Sequence, residues 1–285
     1  VMARVCTSLT DILEPMCRKI VTEFPGPETF GSSAFRPGQT VLASGGALGA
    51  DSAFGRCAAA AGHTVVHWSF HGHKRCESVP RAHAVNVPDE LLTKWTLPLV
   101  RLAAPSLGKS APSKPHVRQL LTRNGLQVVW AEAVYVATWM DTKSPSQHQV
   151  GGGTGWAVQM YFDICRLANR TPRVHWYEVN SRQWLDWDSE RSQWRTLPPG
   201  SLPPKPSGIY AGIGTQQLPP DAVEQLQRLY AQDCVSPIEG AAGGRQDSEG
   251  GEGGEGEGGV AKDGGDDDDV VVVDAEPTQE EEEEL

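Results

Sequence analysis

Two glycine clusters stand where phosphate chemistry would want them. Ser44-Gly45-Gly46-Ala47-Leu48-Gly49-Ala50-Asp51 follows the apolar run Thr40–Ala43, and Gly151-Gly152-Gly153-Thr154-Gly155 leads into an apolar-patterned segment beginning at Trp156. Glycines at a strand-to-helix turn let the backbone approach a phosphate closely. They also aim N–H groups and the positive end of the helix dipole at its charge. Neither cluster is a Walker A loop, because no GxxxxGK[ST] is present. Nor does the spacing of Gly45, Gly46 and Gly49 give the GxGxxG of dinucleotide dehydrogenases. Each loop alone is a weak signal. Two of them on parallel strands would meet at the C-terminal edge of a sheet, where open α/β sheets take their ligands.

Around these loops lie further residues with chemistry to offer. Asp51 closes the first loop, either as a carboxylate facing the ligand or as the N-cap of the following helix. His67, His71, His73 and Cys76 cluster at the end of a strand. Their spacing is not that of a zinc finger or ribbon, so no metal is assigned; histidines lining an anion pocket and ordinary partly exposed histidines both stay open. Arg123 suits a phosphate fork and Asn124 a base or sugar edge, with a helix-end arginine on C-terminal carbonyls as the alternative. Of Trp139, Trp156 and Trp176, Trp156 is the expected base-stacking residue because it follows the second loop directly. No GxSxG supports a serine nucleophile.

These residues need a scaffold, and the hydrophobic pattern supplies one. Helical spacing runs over Val1–Phe24, and Pro25–Gly38 reads as loop. A buried strand at Gln39–Ser44, a helix at Asp51–Ala61 and a strand at Thr64–Phe70 make a βαβ unit. A helix is expected after Pro88, a loop over "APSLGKSAPSKP", and a short helix at Val117–Asn124. Strands follow at Ala133–Thr138 and Arg173–Val179, separated by a helix from Trp156 to about Asn169. Trp184, Trp187 and Trp194 suggest a hairpin turning at Asp188–Arg191, and Pro219–Gln232 a last helix. The fold class is α/β: a Rossmann-like, three-layer parallel sheet with helices on both faces, then a small C-terminal hairpin and helix.

Taken together, "SGGALGADSAFGRCAAAAGHTVVHWSFHGH", "LLTRNGLQVVWAEAVYVAT", "GGGTGWAVQM" and "YAGIGTQQL" resemble the SLOG superfamily, the Rossmann-like group that contains the DprA and Lonely Guy proteins. The likeness spans roughly Val41–Leu218 and is nearest to members with an SGGAxGAD first loop. It implies a nucleotide-type ligand held by Ser44, Gly45, Gly46, Gly49, Ala50, Asp51, His71, His73, Arg123, Asn124, Gly152, Gly153, Thr154, Gly155, Trp156 and Gln159. A homodimer is a further implication, since such proteins often pair. Lonely Guy enzymes hydrolyse the N-glycosidic bond of nucleoside monophosphates with the motif PGGxGTxxE. Here Gly152, Gly153 and Gly155 match its glycines, Trp156 replaces the threonine, and Gln159 stands at the catalytic glutamate. An amide can hydrogen-bond a ribose but cannot act as base or stabilise an oxocarbenium ion. Asp51 and Gln159 are therefore the catalytic candidates, and binding without turnover is the leading expectation.

Charge divides the chain. The whole carries −11, but residues 235–285 hold 18 acidic and 2 basic residues, leaving +5 for residues 1–234. The mildly basic part fits an anionic small molecule and gives no argument for nucleic acid. "GGEGGEGEGG", "DDDD" and "EEEEE" predict a disordered, solvated acidic tail, with docking on a basic partner or folding back over the basic body as the sharper alternative. One α/β domain at 1–234 and a tail at 235–285 is the simplest division. Six cysteines without a CxxC pair, no long apolar stretch and no signal peptide lead to a cytoplasmic expectation without membrane contact. No cofactor is implied. Three functions stay open: a nucleotide-binding sensor, a nucleotide N-glycosidase, or an interaction protein acting through its tail.

Overall fold

In the computed structural model, residues 9–36 and 38–232 are described. The acidic tail, Cys6 and Cys234, and the start of the first expected helix lie outside them. Eight strands form one sheet: β1 (Val41–Ser44), β2 (Thr64–Ser69), β3 (Ala84–Asn86), β4 (Ala133–Thr138), β5 (Val174–Glu178), β6 (Gln183–Asp188), β7 (Gln193–Thr196) and β8 (Ile209–Gly214). Their spatial order is β3-β2-β1-β8-β4-β5-β6-β7. The first six in that order are parallel, and β6 and β7 continue the sheet antiparallel. The expected hairpin, β6 and β7, forms one edge of the sheet.

Among the described residues seven α-helices flank the sheet: α1 (Leu9–Thr22), α2 (Ala50–Ala60), α3 (Asp89–Trp95), α4 (Leu97–Ser106), α5 (Pro115–Val128), α6 (Gly152–Leu167) and α7 (Pro220–Tyr230). Strand alternation sorts the core between the two faces. Leu42, Val65, Tyr135 and Tyr210 pack with Phe54 of α2 and Leu226 of α7. Their neighbours Val134, Val136, Ala211 and Ile213 pack on the other face with α4, α5 and α6. There too, Val41, Val66 and Trp68 meet Phe30, Leu92 and Leu126. Strands buried on both faces read as continuous apolar runs, as "AVYVAT" does.

Three elements depart from the expectation. β8, the central strand, has two glycines in six residues and looks like a turn in isolation. A β-carbon at Gly212 would press on Phe54 and Leu42, so the glycine is what lets α2 lie against the strand. α4 begins inside the segment after Pro88 and takes Ala104–Ser106 from the expected loop. α5 runs on to Val128, so Arg123 and Asn124 sit within the helix and not at its end. That removes the reading of Arg123 as a helix-end cation. No helix among the described residues is long and apolar enough to cross a membrane.

Candidate functional site

Right-handed crossovers that move in opposite directions put their helices on opposite faces. β1 leads through α2 to β2 on one side, and β4 leads through α6 to β5 on the other. Their loops diverge over the C-terminal end of β8, which stands between them. Thr215, just past β8, ties the two sides together. Its carbonyl accepts from Ala50 N–H at 2.9 Å, and its own N–H donates to Ala137 O at 2.9 Å.

Gly49 makes the first join possible. Its backbone has φ 85° and ψ −126°, a conformation that L side chains avoid. A β-carbon there would also collide with the carbonyl oxygens of Thr215 and Gln216. Gly49→Ala is therefore expected to lower stability by about 2–4 kcal/mol, read as a lower urea midpoint. An unchanged midpoint would show that the loop relaxes around the methyl group.

The first loop is organised around a buried ion pair. Asp51 is 6% exposed and Arg123 5%, with Asp51 Oδ2 at 3.5 Å from Arg123 Nη1. The Asp51 carboxylate also accepts the N–H groups of Gly45 and Ala47. Burial pushes this carboxyl above its ordinary value, opposed chiefly by the Arg123 charge and then by the two loop N–H groups. Asp51 is thus neither the helix N-cap, a place Gly49 holds, nor a solvent-facing base. Gly45 needs its missing side chain here, because a β-carbon would strike both Arg123 and Asp51.

Arg123 continues the network beyond the first loop. Nη1 donates to Gln127 Oε1 at 2.8 Å, and Nη2 lies 3.3 Å from His73 Nε2. A guanidinium only donates, so His73 Nε2 accepts and Nδ1–H donates to Ser69 Oγ at 3.1 Å. Burial, followed by the Arg123 and Arg75 charges, brings His73 down to about 3 and fixes this neutral tautomer. His67, also lowered to about 3 chiefly by burial, lies under Gly46 and Gly55 with Nδ1 unpartnered. His71 is exposed, and Cys76 contacts Ser78 at 3.1 Å. The four candidate metal donors therefore point to different surroundings.

The second loop is the first turn of α6. Gly151 caps the helix without a side-chain bond, so the leading N–H groups have no partner within the helix. Asn124 Nδ2 donates to Gly153 O at 3.2 Å. Adjacent residues of α5 thus hold both loops, Arg123 the first and Asn124 the second. Thr154 and Gly155 are buried, and Gly155 lies against Val150 O, where a β-carbon would collide.

Other expected site residues are placed elsewhere. Ser44 spends its hydroxyl on Gly212 O at 2.7 Å, fastening β1 to β8. Ala50 is fully buried. Trp156 is 1% exposed within the core shared by α4, α5 and α6, so its face is not available to a ligand at the loop ends. Gln159 Nε2 donates to Asp163 Oδ2 at 3.2 Å. Asp163 faces Arg166 at 3.5 Å, and Arg166 reaches Glu14 of α1 at 3.0 Å, so Gln159 belongs to a polar chain on the outer flank of α6. The sequence reading missed Gln127, although it lies one helical turn beyond Arg123. It also missed Thr215, despite the flagged "YAGIGTQQL", and exposed Leu48, and it ranked buried Trp156 above Trp139, which is the exposed one of the three tryptophans it named.

A hollow of about 410 Å³ lies away from both glycine loops, between the start of β5 and the β6–β7 hairpin, lined by Arg173, His175, Asp186, Trp187 and Arg195 among others. His175 Nδ1 lies 2.7 Å from Asp186 Oδ1, and Arg195 pairs with the same carboxylate at 3.3 Å. No known protein family, curated protein or solved structure matches the chain.

Proposed function

We propose that the chain binds a nucleotide or nucleotide-derived ligand in the crevice above β8, as a sensor-type module. One observation carries the reading: adjacent side chains of α5, Arg123 and Asn124, hold the two glycine loops on either side of one strand end. Such a crevice at a change of strand order is where open α/β sheets receive ligands. The open first turn of α6 suits a phosphate. Binding without turnover is favoured because Asp51 is committed to Arg123 and Gln159 to Asp163.

The direct test is native mass spectrometry of the full chain with nucleoside mono- and diphosphates and ADP-ribose. Retention of an intact nucleotide is expected. Retention of none would overturn the proposal. Release of free base would turn it into the second reading, N-glycosidic hydrolysis with Asp51 as the carboxylate. That reading draws on one observation, a carboxyl of raised proton affinity beside the loop. Unchanged nucleotide retention after deletion of residues 235–285 would count against a function residing in the acidic tail.

A further inference from the structure

We infer that Trp139 is the platform on which the base of the bound nucleotide stacks, and so sets the preference for nucleotides over bare sugar phosphates. The inference rests on the nucleotide-binding reading above and adds a residue to it. Of nine tryptophans, only Trp139 is exposed, at 40%. The other eight are buried or partly buried, most of them in the hydrophobic clusters and ring pairs of the core. Trp139 belongs to none of these clusters or ring pairs. Single exposed apolar side chains are common on protein surfaces, so what singles Trp139 out is its place beside the second loop.

Its position is nonetheless fixed. Trp139 directly follows β4, its carbonyl accepts Gly151 N–H at 3.1 Å, and Met140 N–H donates to Glu178 at 3.1 Å. The indole lies against the glycines that start α6. A β-carbon at Gly151 would collide with its Nε1 and Cδ1, and one at Gly152 would stand 3.4 Å from Cζ2. The second loop is therefore glycine partly to seat this ring, which places an aromatic face next to the open N–H groups. Arg123, 5% exposed and with Nε unpartnered, is a further buried polar group beside the first loop. On the first loop Leu48 is 59% exposed. An aromatic face beside a phosphate seat matches a molecule that carries both, and stacking tolerates any base because every base has a π-face.

The test is calorimetric titration of the full chain, wild type, Trp139→Ala and Trp139→Phe, with AMP, GMP, CMP, UMP and ribose 5-phosphate. The wild type is expected to favour at least one nucleotide over ribose 5-phosphate by about ten- to a hundredfold. Trp139→Ala should erase that preference, so that the nucleotides bind no more tightly than ribose 5-phosphate, and Trp139→Phe should restore most of it. If nucleotides keep their advantage in Trp139→Ala, or have none in the wild type, the stacking assignment is overturned while phosphate binding stands. If none of the five binds the wild type, the nucleotide reading fails and the assignment falls with it.

Discussion

Replacing Arg123 with methionine is expected to lower the unfolding free energy by about 3–5 kcal/mol, because it strands Asp51 in the interior without its counter-charge. For a domain of this size that is roughly a 10 °C fall in Tm. The stranded group is costly for two reasons visible in the geometry. Asp51 is 6% exposed, and Gly45 and Ala47 donate to its charged form. Arg123 also anchors Gln127 and His73, so the loss spreads from the first loop to the end of β2. A double variant, Asp51→Asn with Arg123→Met, removes both charges and should recover part of the loss. Urea unfolding of the two variants at pH 7 measures this. A loss below about 1 kcal/mol in Arg123→Met would mean that water or another cation takes over the pair.

Acid should unfold this protein more readily than its carboxylates alone would suggest. His67 and His148 are both 1% exposed, and burial takes them down to about 3 and about 4. Above pH 6.5 both are neutral whether the chain is folded or not, and their contribution to stability is complete. As pH falls from 6.5 towards those values, the unfolded chain takes up protons that the native chain refuses, so stability drops. Each residue removes about 1.4 kcal/mol per pH unit, about 4 kcal/mol for the pair by pH 5. Asp51 and Asp163 act in the opposite sense, since burial raises their carboxyls and the native state takes those protons more readily. A single variant separates the contributions. His67→Asn should flatten the stability-versus-pH slope between pH 6 and 4.5 by about 1.4 kcal/mol per unit. Equal slopes in the variant and the wild type would show that His67 opens to solvent before it protonates.

Much of this architecture is legible in the linear pattern, for local reasons. β1, α2 and β2 follow from an apolar run, a glycine turn and an alanine-rich helix, each adjacent in sequence to what it needs. The β6–β7 hairpin follows from tryptophans alternating around Asp188–Arg191, and Trp187 indeed pairs with Trp194 across it. β8 is different. Its glycines make sense only once Phe54 and Leu42 are seen to occupy the space a side chain would take, and no local signal carries that. The site divides the same way. The glycine loops, Asp51, Arg123 and Asn124 stand out by residue type. Their partners depend on chain segments that meet only in the folded state, Asp51 with Arg123 across 72 positions and Asn124 with Gly153 across 29.

The tryptophans show most plainly what sequence position cannot settle. Trp156 follows the second loop and Trp139 precedes it, and proximity in the chain favoured Trp156. The helix turns Trp156 into the core beneath α4 and α5, whereas the end of β4 leaves Trp139 on the rim against Gly151 and Gly152. By itself the sequence determined the α/β class, the two glycine loops and the uneven charge, because hydrophobic period, residue type and charge are properties of neighbouring residues. Only the tertiary structure decided that β8 separates the loops, that Asp51 is paired internally, and which tryptophan meets solvent. Each of those depends on which distant segments share a face of the sheet, and that is set by packing.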